Sequence, residues 1–204
     1  MIAIIDYGSG NVGAIANIYK QLKVPHLITG SLKELAAADR YILPGVGAFD
    51  ATMGYLRRAG MIDLLNEQVI VRKKKVLGIC VGMQILADAS EEGQLPGLGW
   101  VHGTVRRIDA ATLPSKPKLP HMGWNSVRPL SSEALFRGVD LEQGFYFLHS
   151  YYFDALEPSQ VAARVTYGLD LPCGVARENV FGLQFHPEKS HANGMSVFKN
   201  FAEL

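Results

Sequence analysis

The first half of the chain alternates between short apolar runs and helix-like segments, and this alternation constrains the fold more than any other feature. Apolar runs occupy 2–5, 24–29 and 75–79, and another begins at Arg40 and runs into a proline-glycine turn. Each run has the length and composition of a buried strand. Strands that alternate with helices form parallel sheets covered by helices on both faces. The sequence therefore predicts an α/β fold with a mixed, mostly parallel central sheet.

The intervening segments carry helix signals. Residues 12–22 have apolar side chains at helical spacing, and 50–71 also have a helical pattern. Ser31 and Glu34 are spaced as a capping box, which predicts a short helix after the second strand. A further helix is predicted over 81–90, directly after the fourth strand.

The second half has a different pattern. After residue 95, short β-rich runs are separated by Gly, Pro and Asn, and the chain closes with a helical segment at 190–204. These runs predict extra strands and β hairpins, some of them antiparallel, that complete the sheet. With no internal repeat and no low-complexity linker, residues 1–204 are expected to form a single domain.

Composition excludes several functional classes. The chain has 204 residues, a formal net charge of +1 and two cysteines. A near-neutral chain gives no indication of a nucleic-acid or lipid surface. Two cysteines form neither a disulfide framework nor a zinc site, so no metal or other cofactor is expected. No apolar run reaches the ~18 residues of a membrane span, and no leader-like segment precedes the first strand, so a cytoplasmic protein is expected.

Cys80 lies at the corner between the fourth strand and the next helix. In the stretch Gly-Ile-Cys-Val-Gly, glycines stand two positions before and after it. A sharp strand-to-helix turn that projects a nucleophile needs such glycines, as in the G-x-S-x-G elbow. A helix N-terminus there favours thiolate, and the Val81 N–H could face an oxyanion. The alternative is a buried cysteine in a packing turn.

A cysteine nucleophile needs a base. Of the six histidines, His186 follows an apolar strand, with proline next and Glu188 two positions on. A histidine held by a carboxylate is the arrangement that a cysteine–histidine pair requires. In α/β sheets, both motifs would lie at the carboxyl edge, where ligands bind. The turn Leu-Pro-Gly-Val-Gly, with Val46 between its glycines, could supply backbone N–H groups at the same edge.

These stretches resemble the class I (triad) glutamine amidotransferases, and more closely the glutaminase subunits of imidazole glycerol phosphate synthases. The resemblance runs nearly end to end. It is carried by IAIIDYGSGNVGAI, YILPGVGAFD, VLGICVGMQIL, LPHMGWNSV, FYFLHSYYF and GLQFHPEKS. It implies the flavodoxin-like class I glutamine amidotransferase fold.

The resemblance also implies roles for individual residues. Cys80 would attack the side-chain amide of L-glutamine, His186 would carry the proton to ammonia, and Glu188 would hold His186. Backbone N–H groups of Val46 and Val81 would form the oxyanion hole. The amino-acid end of glutamine would be held by Gly47, Gln84, Glu92, Ser150 and Tyr151.

By the same resemblance, the chain would form a heterodimer with a (β/α)8-barrel synthase subunit. Ammonia would pass to this partner through a dry passage and react with a phosphorylated ribulosyl-carboxamide. The products would be imidazole glycerol phosphate and an aminoimidazole carboxamide ribotide. The chain lacks a phosphate loop and a dinucleotide fingerprint, which fits such a division of labour. Candidate interface residues are Asn11, Trp124, Tyr146 and Lys189, with core packing as the alternative for Trp124 and Tyr146.

Other interpretations stay open at this point. One is a different hydrolase with the same elbow, such as a cysteine peptidase or the glutaminase of pyridoxal phosphate synthesis. Another is a non-catalytic scaffold. Among the remaining candidates, Cys173 is expected to be inert at a turn, His121 to be packed in a loop and His149 to be a core imidazole on a strand.

Overall fold

The computed structural model describes residues 1–113, 119–130 and 134–204. Its helices are α1 (Val12–Gln21), α2 (Leu32–Ala37), α3 (Phe49–Arg58), α4 (Met61–Asn66), α5 (Val81–Gln84) and α6 (His191–Glu203). The first strands are β1 (Ile2–Ile5), β2 (His26–Thr29), β3 (Arg40–Leu43), β4 (Lys75–Ile79), β5 (Ala89–Ser90), β6 (Gly103–Arg107) and β7 (His121–Asn125). The others are β8 (Arg128–Pro129), β9 (Phe145–His149), β10 (Tyr151–Ala155), β11 (Val161–Tyr167), β12 (Leu169–Arg177) and β13 (Val180–Leu183).

The central sheet has eight strands in the order β2-β1-β3-β4-β13-β12-β11-β8. The first five run parallel, and β12, β11 and β8 continue the sheet with antiparallel pairings. β13 is the last strand in sequence but lies in the middle of the sheet, between β4 and β12. The predicted mixed, mostly parallel sheet is confirmed.

Helices flank this sheet in two groups. α1 packs against α6, while α4 contacts α2 and α3, and α3 contacts α5. All four residues of β1 and of β13 are buried. Strands with no exposed side are what a sheet covered on both faces requires, which is why these runs are continuously apolar. No helix within the described residues is long and apolar enough to cross a membrane.

Two smaller β units complete the molecule. β10, β6 and β5 form a three-stranded sheet. β7 and β9 form an antiparallel pair, called the ribbon below, in which His121 lies opposite His149 and Trp124 opposite Tyr146. The extra β hairpins expected in the second half are β11–β12 and β12–β13, which are consecutive antiparallel strands of the central sheet.

The helical pattern predicted over 50–71 is confirmed. α3 and α4 occupy this region, Gly60 with a positive φ of 65° separates them, and a π-helical turn at Glu67–Val71 follows. The helix expected over 81–90 is wrong in its length, because it ends at Gln84.

The capping box is absent. The Ser31 side chain makes no cap bond. The Thr29 hydroxyl instead donates to Glu34 and accepts the Ser31 N–H at 2.9 Å, so both groups of the expected box bond Thr29 rather than each other.

Candidate active site

Cys80 lies at a sharp turn between β4 and α5. Its backbone has φ 53° and ψ −111°, a conformation that strains any residue with a side chain. Nearby glycines make the turn possible. A Cβ on Gly82 would lie 1.8 Å from the Leu43 carbonyl oxygen, and one on Gly78 would lie 2.4 Å from the Gly82 carbonyl oxygen. Only hydrogen fits at both positions, as the predicted elbow requires.

Parallel pairing of β4 with β13 brings the second part of the site to this elbow. Ile79 pairs with Leu183, and the Cys80 N–H donates to the Leu183 carbonyl at 2.8 Å. The chain then continues through Gln184 to His186 along the same edge of the sheet. The His186 N–H donates to the Tyr146 carbonyl of the ribbon at 2.9 Å. The register of two neighbouring strands thus places residues about a hundred positions apart next to each other.

His186 is held by a buried carboxylate. Its Nδ1 donates to Glu188 Oε1 at 2.9 Å, and the two side chains are 1% and 2% exposed. Asn11 Nδ2 donates to the same Glu188 oxygen at 3.3 Å. The Nε2 atom of His186 is buried and has no standard hydrogen-bond partner among the described residues, which leaves it open to the pocket.

The charge of His186 is set by these neighbours. Burial lowers its pKa, but interactions with Cys80 and Glu188 outweigh burial and raise the pKa to about 9. With a pKa of about 9, His186 is protonated at neutral pH. A positively charged imidazole beside a cysteine is the arrangement that activates cysteine nucleophiles in general.

A pocket of about 230 Å³ opens on these groups. Nine of the residues predicted for the site line it: Val46, Gly47, Cys80, Val81, Gln84, Glu92, Ser150, Tyr151 and His186. Leu148 and His149 complete the lining. Glu188 lies behind His186 and does not line the pocket.

Two polar side chains in the pocket are held in place by neighbouring groups. Glu92 Oε2 accepts the Phe49 N–H at the start of α3, at 2.8 Å. Gln84 Nε2 donates to the Tyr151 carbonyl at 3.4 Å and to Gln184 Oε1 at 3.2 Å. A carboxylate in a small pocket suits a ligand that carries an ammonium group.

The turn at Val46 has a different arrangement from the one expected. The Val46 N–H donates to the Ser9 hydroxyl at 3.2 Å, and the same hydroxyl donates to the Val46 carbonyl. In this conformation Ser9 holds the amide that was expected to face an oxyanion. The Val81 N–H begins α5, where a helix leaves its first amides unpaired. α5 is only four residues long, so the helix expected to act on Cys80 through its dipole is short.

The four candidate interface residues lie along one side of the site. Trp124 is 43% exposed and stacks on His191 with ring centroids 5.5 Å apart, so it is not a core residue. Lys189 Nζ lies 5.5 Å from the centroid of the Tyr146 ring. Asn11 donates to Glu188, a contact within the chain that the sequence did not predict.

Sequence reasoning also missed Gln184 and Ser9. Gln184 Nε2 donates to Cys80 Sγ at 3.7 Å. It directly follows β13 and stands two positions before His186, so its place between the strand and the His-Pro-Glu turn is the signal that could have found it. For Ser9 no such signal exists, because the contact depends on how two turns meet.

Two other predictions on local structure were wrong. Cys173 lies inside β12 rather than at a turn, and it is fully buried. Burial raises the pKa of its thiol far above the usual range, as expected for an inert cysteine. His121 lies on a strand of the ribbon rather than in a loop. Among the described residues, no three His, Cys, Asp or Glu side chains are grouped so that they could hold a metal ion.

Comparisons with known proteins agree with this geometry. The family model for class-I glutamine amidotransferase matches residues 3–204. The chain is 50% identical over 206 residues to the imidazole glycerol phosphate synthase subunit HisH of Bdellovibrio bacteriovorus, with 100% of each chain covered. It is 45% identical over 204 residues to the subunit HisH 2 of Pseudomonas aeruginosa, again with 100% of each covered.

Solved structures share the fold. A crystal structure of a glutamine amidotransferase superposes with a TM-score of 0.74 at 20% identity, covering 100% of both chains. A chain of the PurLQS structure from Thermotoga maritima gives a TM-score of 0.65 at 20% identity, covering 99% of this chain and 97% of the other. At these identities the likeness concerns the fold alone. The sequence matches go further: the chain belongs to the class-I glutamine amidotransferase family, and within it to the imidazole glycerol phosphate synthase HisH subunits.

Proposed function

We propose that this chain hydrolyses L-glutamine to glutamate and ammonia with Cys80, His186 and Glu188 as its catalytic triad. The observation that carries the proposal is the convergence of a strained cysteine elbow and a buried His186–Glu188 pair on one small pocket. Family membership supports glutamine as the substrate. Residues 1–204 act as a single glutamine amidotransferase domain in this proposal.

In the first half-reaction the Cys80 thiolate attacks the side-chain carbonyl carbon of glutamine. The C–N bond breaks, and the His186 imidazolium gives its proton to the departing ammonia, leaving a glutamyl thioester. In the second half-reaction His186 removes a proton from water, which attacks the thioester. The C–S bond breaks and glutamate leaves, so one glutamine and one water give one glutamate and one ammonia.

The residues that line the pocket have different roles in this mechanism. The Val81 N–H stabilises the oxyanion of each tetrahedral intermediate. The Val46 N–H joins it only after leaving the Ser9 hydroxyl. Glu92 pairs with the α-ammonium group of glutamine, while Gly47, Gln84, Ser150 and Tyr151 hold the rest of its amino-acid end.

The ammonia passes to a (β/α)8-barrel synthase subunit, which makes imidazole glycerol phosphate and the aminoimidazole carboxamide ribotide of histidine biosynthesis. The outer side of the ribbon supports docking of a partner beside the pocket. Met122 is 58% exposed, and it pairs across the ribbon with the half-exposed Leu148, which also lines the pocket. Trp124, Tyr146, Lys189 and Asn11 lie along the same side in the proposed heterodimer.

The cytoplasm is the proposed compartment, because both cysteines are free thiols and the reaction needs one of them reduced. A glutaminase of another pathway is the second candidate. Its supporting observation is that the family model matching residues 3–204 describes class-I glutamine amidotransferases in general and names no pathway. The high identity to HisH subunits over the full chain favours histidine biosynthesis.

Glutamate release by the purified chain, with and without the barrel partner and its phosphorylated ligand, tests the proposal. We expect low activity alone and a large rise with the partner. In the complex, Cys80→Ala should abolish glutamine-dependent product formation while ammonium chloride still supports it. Cys173→Ala is the matched control and should keep glutamine-dependent turnover within about twofold, since this residue lies outside the pocket. Full activity without a partner would point to another pathway, and no activity in any mixture would contradict glutaminase function.

A further inference from the structure

A second pair of histidines stands behind the pocket, on the inner side of the ribbon. His121 Nδ1 and His149 Nε2 are 3.0 Å apart, and both side chains are buried. His149 lines the pocket, and its Nδ1 bonds the Tyr151 carbonyl at 2.7 Å. At the other end, Asn125 Nδ2 lies 3.3 Å from His121 Nε2 and donates to the Thr166 carbonyl at 2.9 Å.

The Tyr151 and Thr166 carbonyls at the two ends determine which nitrogen carries each hydrogen in this series of hydrogen bonds. A carbonyl can only accept, so His149 Nδ1 carries the hydrogen that reaches Tyr151. His149 Nε2 is then the acceptor, and His121 Nδ1 must be the donor to it. His121 Nε2 accepts from Asn125, whose amide nitrogen uses its two hydrogens on His121 and Thr166. The bonds thus run in one direction, from Asn125 through both imidazoles to the Tyr151 carbonyl.

This arrangement requires both imidazoles to be neutral. A proton added to His149 Nε2 would point at the N–H of His121, and each ring has no other described acceptor for it. Burial acts in the same direction and lowers the pKa of His121 to about 4 and that of His149 to about 3. The neighbouring His186 also lowers the pKa of His149 through its charge. His149 and His186 line the same pocket, but only His186 is charged at neutral pH.

Ring packing holds the pair in place. His121 is stacked between Phe147, at 4.5 Å between centroids, and Tyr167, at 4.0 Å. The His149 bond ends on a carbonyl that also accepts from Gln84 at 3.4 Å. The Tyr151 carbonyl is therefore held from two sides, by His149 and by Gln84, while the adjacent Ser150 carbonyl accepts the Ile108 N–H at 3.0 Å.

We propose that His121 and His149 are positioning residues for glutamine binding, acting through the Tyr151 carbonyl on the Ser150–Tyr151 wall. This inference rests on the proposed function, since it assigns that wall to the amino-acid end of glutamine. The pair takes no proton from the substrate and forms no bond to it. Its effect is on binding, so it concerns KM for glutamine more than kcat.

Three variants, assayed as the complex of the full chain with its barrel partner, test this role. His121→Phe keeps a ring between Phe147 and Tyr167 but removes the hydrogen bond to His149. His149→Leu removes the bond to Tyr151. We expect each to raise KM for glutamine about tenfold with kcat within about threefold, the size of effect that loss of one buried hydrogen bond produces. His149→Asn places an amide N–H where Nδ1 stood, and should recover most of the affinity.

His26 provides the control. Its Nδ1 bonds the Val24 carbonyl at 2.8 Å, with the same two-residue spacing as His149 and Tyr151. His26→Leu therefore removes an equivalent bond far from the pocket and should leave KM unchanged. An unchanged KM in both His121→Phe and His149→Leu, or a KM raised equally by His26→Leu, would overturn the positioning role.

A measurement on the wild-type protein does not need glutaminase activity. Nitrogen-15 NMR of the imidazoles distinguishes the two neutral tautomers and the charged ring. We expect His121 and His149 to be neutral with the hydrogen on Nδ1 at pH 7. An Nε2–H tautomer or a charged ring at either residue would overturn the inference, even if glutamine is hydrolysed. The expected tautomers in a protein that hydrolyses no glutamine would instead contradict the proposed function alone.

Discussion

The two cysteines lie in different halves of the same sheet, and they show how position decides reactivity. Cys80 ends a parallel strand at the carboxyl edge, with a strained backbone and His186 nearby. Cys173 lies within the antiparallel strand β12, where it is fully buried and no pocket reaches it among those described. Both are enclosed by protein, at 5% and 0% exposure. The two cysteines therefore do not differ much in exposure. They differ because Cys80 lines a pocket and lies beside the charged His186, and Cys173 does neither.

The parallel half and the antiparallel half of the central sheet contribute differently to the site. Parallel strands end side by side at one edge, so β3, β4 and β13 deliver Val46, Cys80 and His186 to a single place. Antiparallel strands alternate their ends, and β12 and β11 extend the sheet without adding to this edge. The parallel half therefore carries the residues of the proposed triad, and the antiparallel half extends the sheet beside them.

Alkylation by iodoacetamide tests most directly whether Cys80 and Cys173 differ in reactivity. We expect Cys80 to react at least about 1,000-fold faster than Cys173 at pH 7, because Cys173 is reached only through an opening that costs about 5 kcal/mol or more. Peptide mass spectrometry after timed quenching gives the two rates. In the Cys80→Ala variant, the native chain should take up no label. Equal rates would show that the two environments do not differ.

Glycine substitutions compare the backbones of the two halves. Gly82→Ala should destabilise the fold by more than about 4 kcal/mol, because its Cβ would overlap a backbone carbonyl. Gly174 lies next to Cys173, and a Cβ there would lie 3.1 Å from the Cβ of Ala163. Gly174→Ala should cost about 1 to 3 kcal/mol, as moderate overpacking does. Urea unfolding of both variants measures the difference, and a Gly82→Ala chain with near wild-type stability would contradict the close contact at the elbow.

The pH dependence of stability tests the charged partner of Cys80. The pKa of His186 is raised to about 9 in the folded protein, above its unfolded value of about 6.5. Its contribution to stability is therefore fully present below pH 6.5 and is lost as the pH rises through about 9. We expect urea unfolding to show a smaller loss between pH 6.5 and 9 in Glu188→Gln than in the wild type. An identical pH profile would exclude the carboxylate as a cause of the raised pKa.

The smallest expected effect concerns the turn beside Cys80. Ser9→Ala removes the hydroxyl that holds the Val46 N–H, which should raise glutamate release by the chain alone about fivefold, the size of one hydrogen bond. Ser31→Ala is a control, because that side chain makes no cap bond. A fall in activity would instead mean that Ser9 helps to build the active conformation.

Much of the fold was predictable because its strands are buried on both faces. The apolar runs at 2–5 and 75–79 match β1 and β4 at both ends. Helix ends were less predictable: the Glu34 side chain bonds Thr29 rather than the Ser31 backbone, and α5 ends after four residues. These outcomes depend on contacts with other segments, which local propensity does not contain.

For the candidate site, the local motifs predicted that Cys80, His186 and the turn at Val46 share one edge, and the family resemblance implied the other pocket-lining residues. Neither indicated how these residues are bonded. The strand–turn context of Cys80 and His186 fixed their common edge. The contacts of Ser9 with Val46 and of Asn11 with Glu188 join segments far apart in sequence, so no local pattern reveals them. The roles assigned to these residues stay predictions.

The central place of β13 also bears on how the chain matures. β13 and the His-Pro-Glu turn follow Cys80 by about a hundred residues, yet β13 lies between β4 and β12. During synthesis His186 therefore cannot reach the elbow thiol until β13 has left the ribosome and inserted between these two strands. In the proposed mechanism, a chain in which β13 has not yet inserted carries the nucleophile without its base and hydrolyses no glutamine.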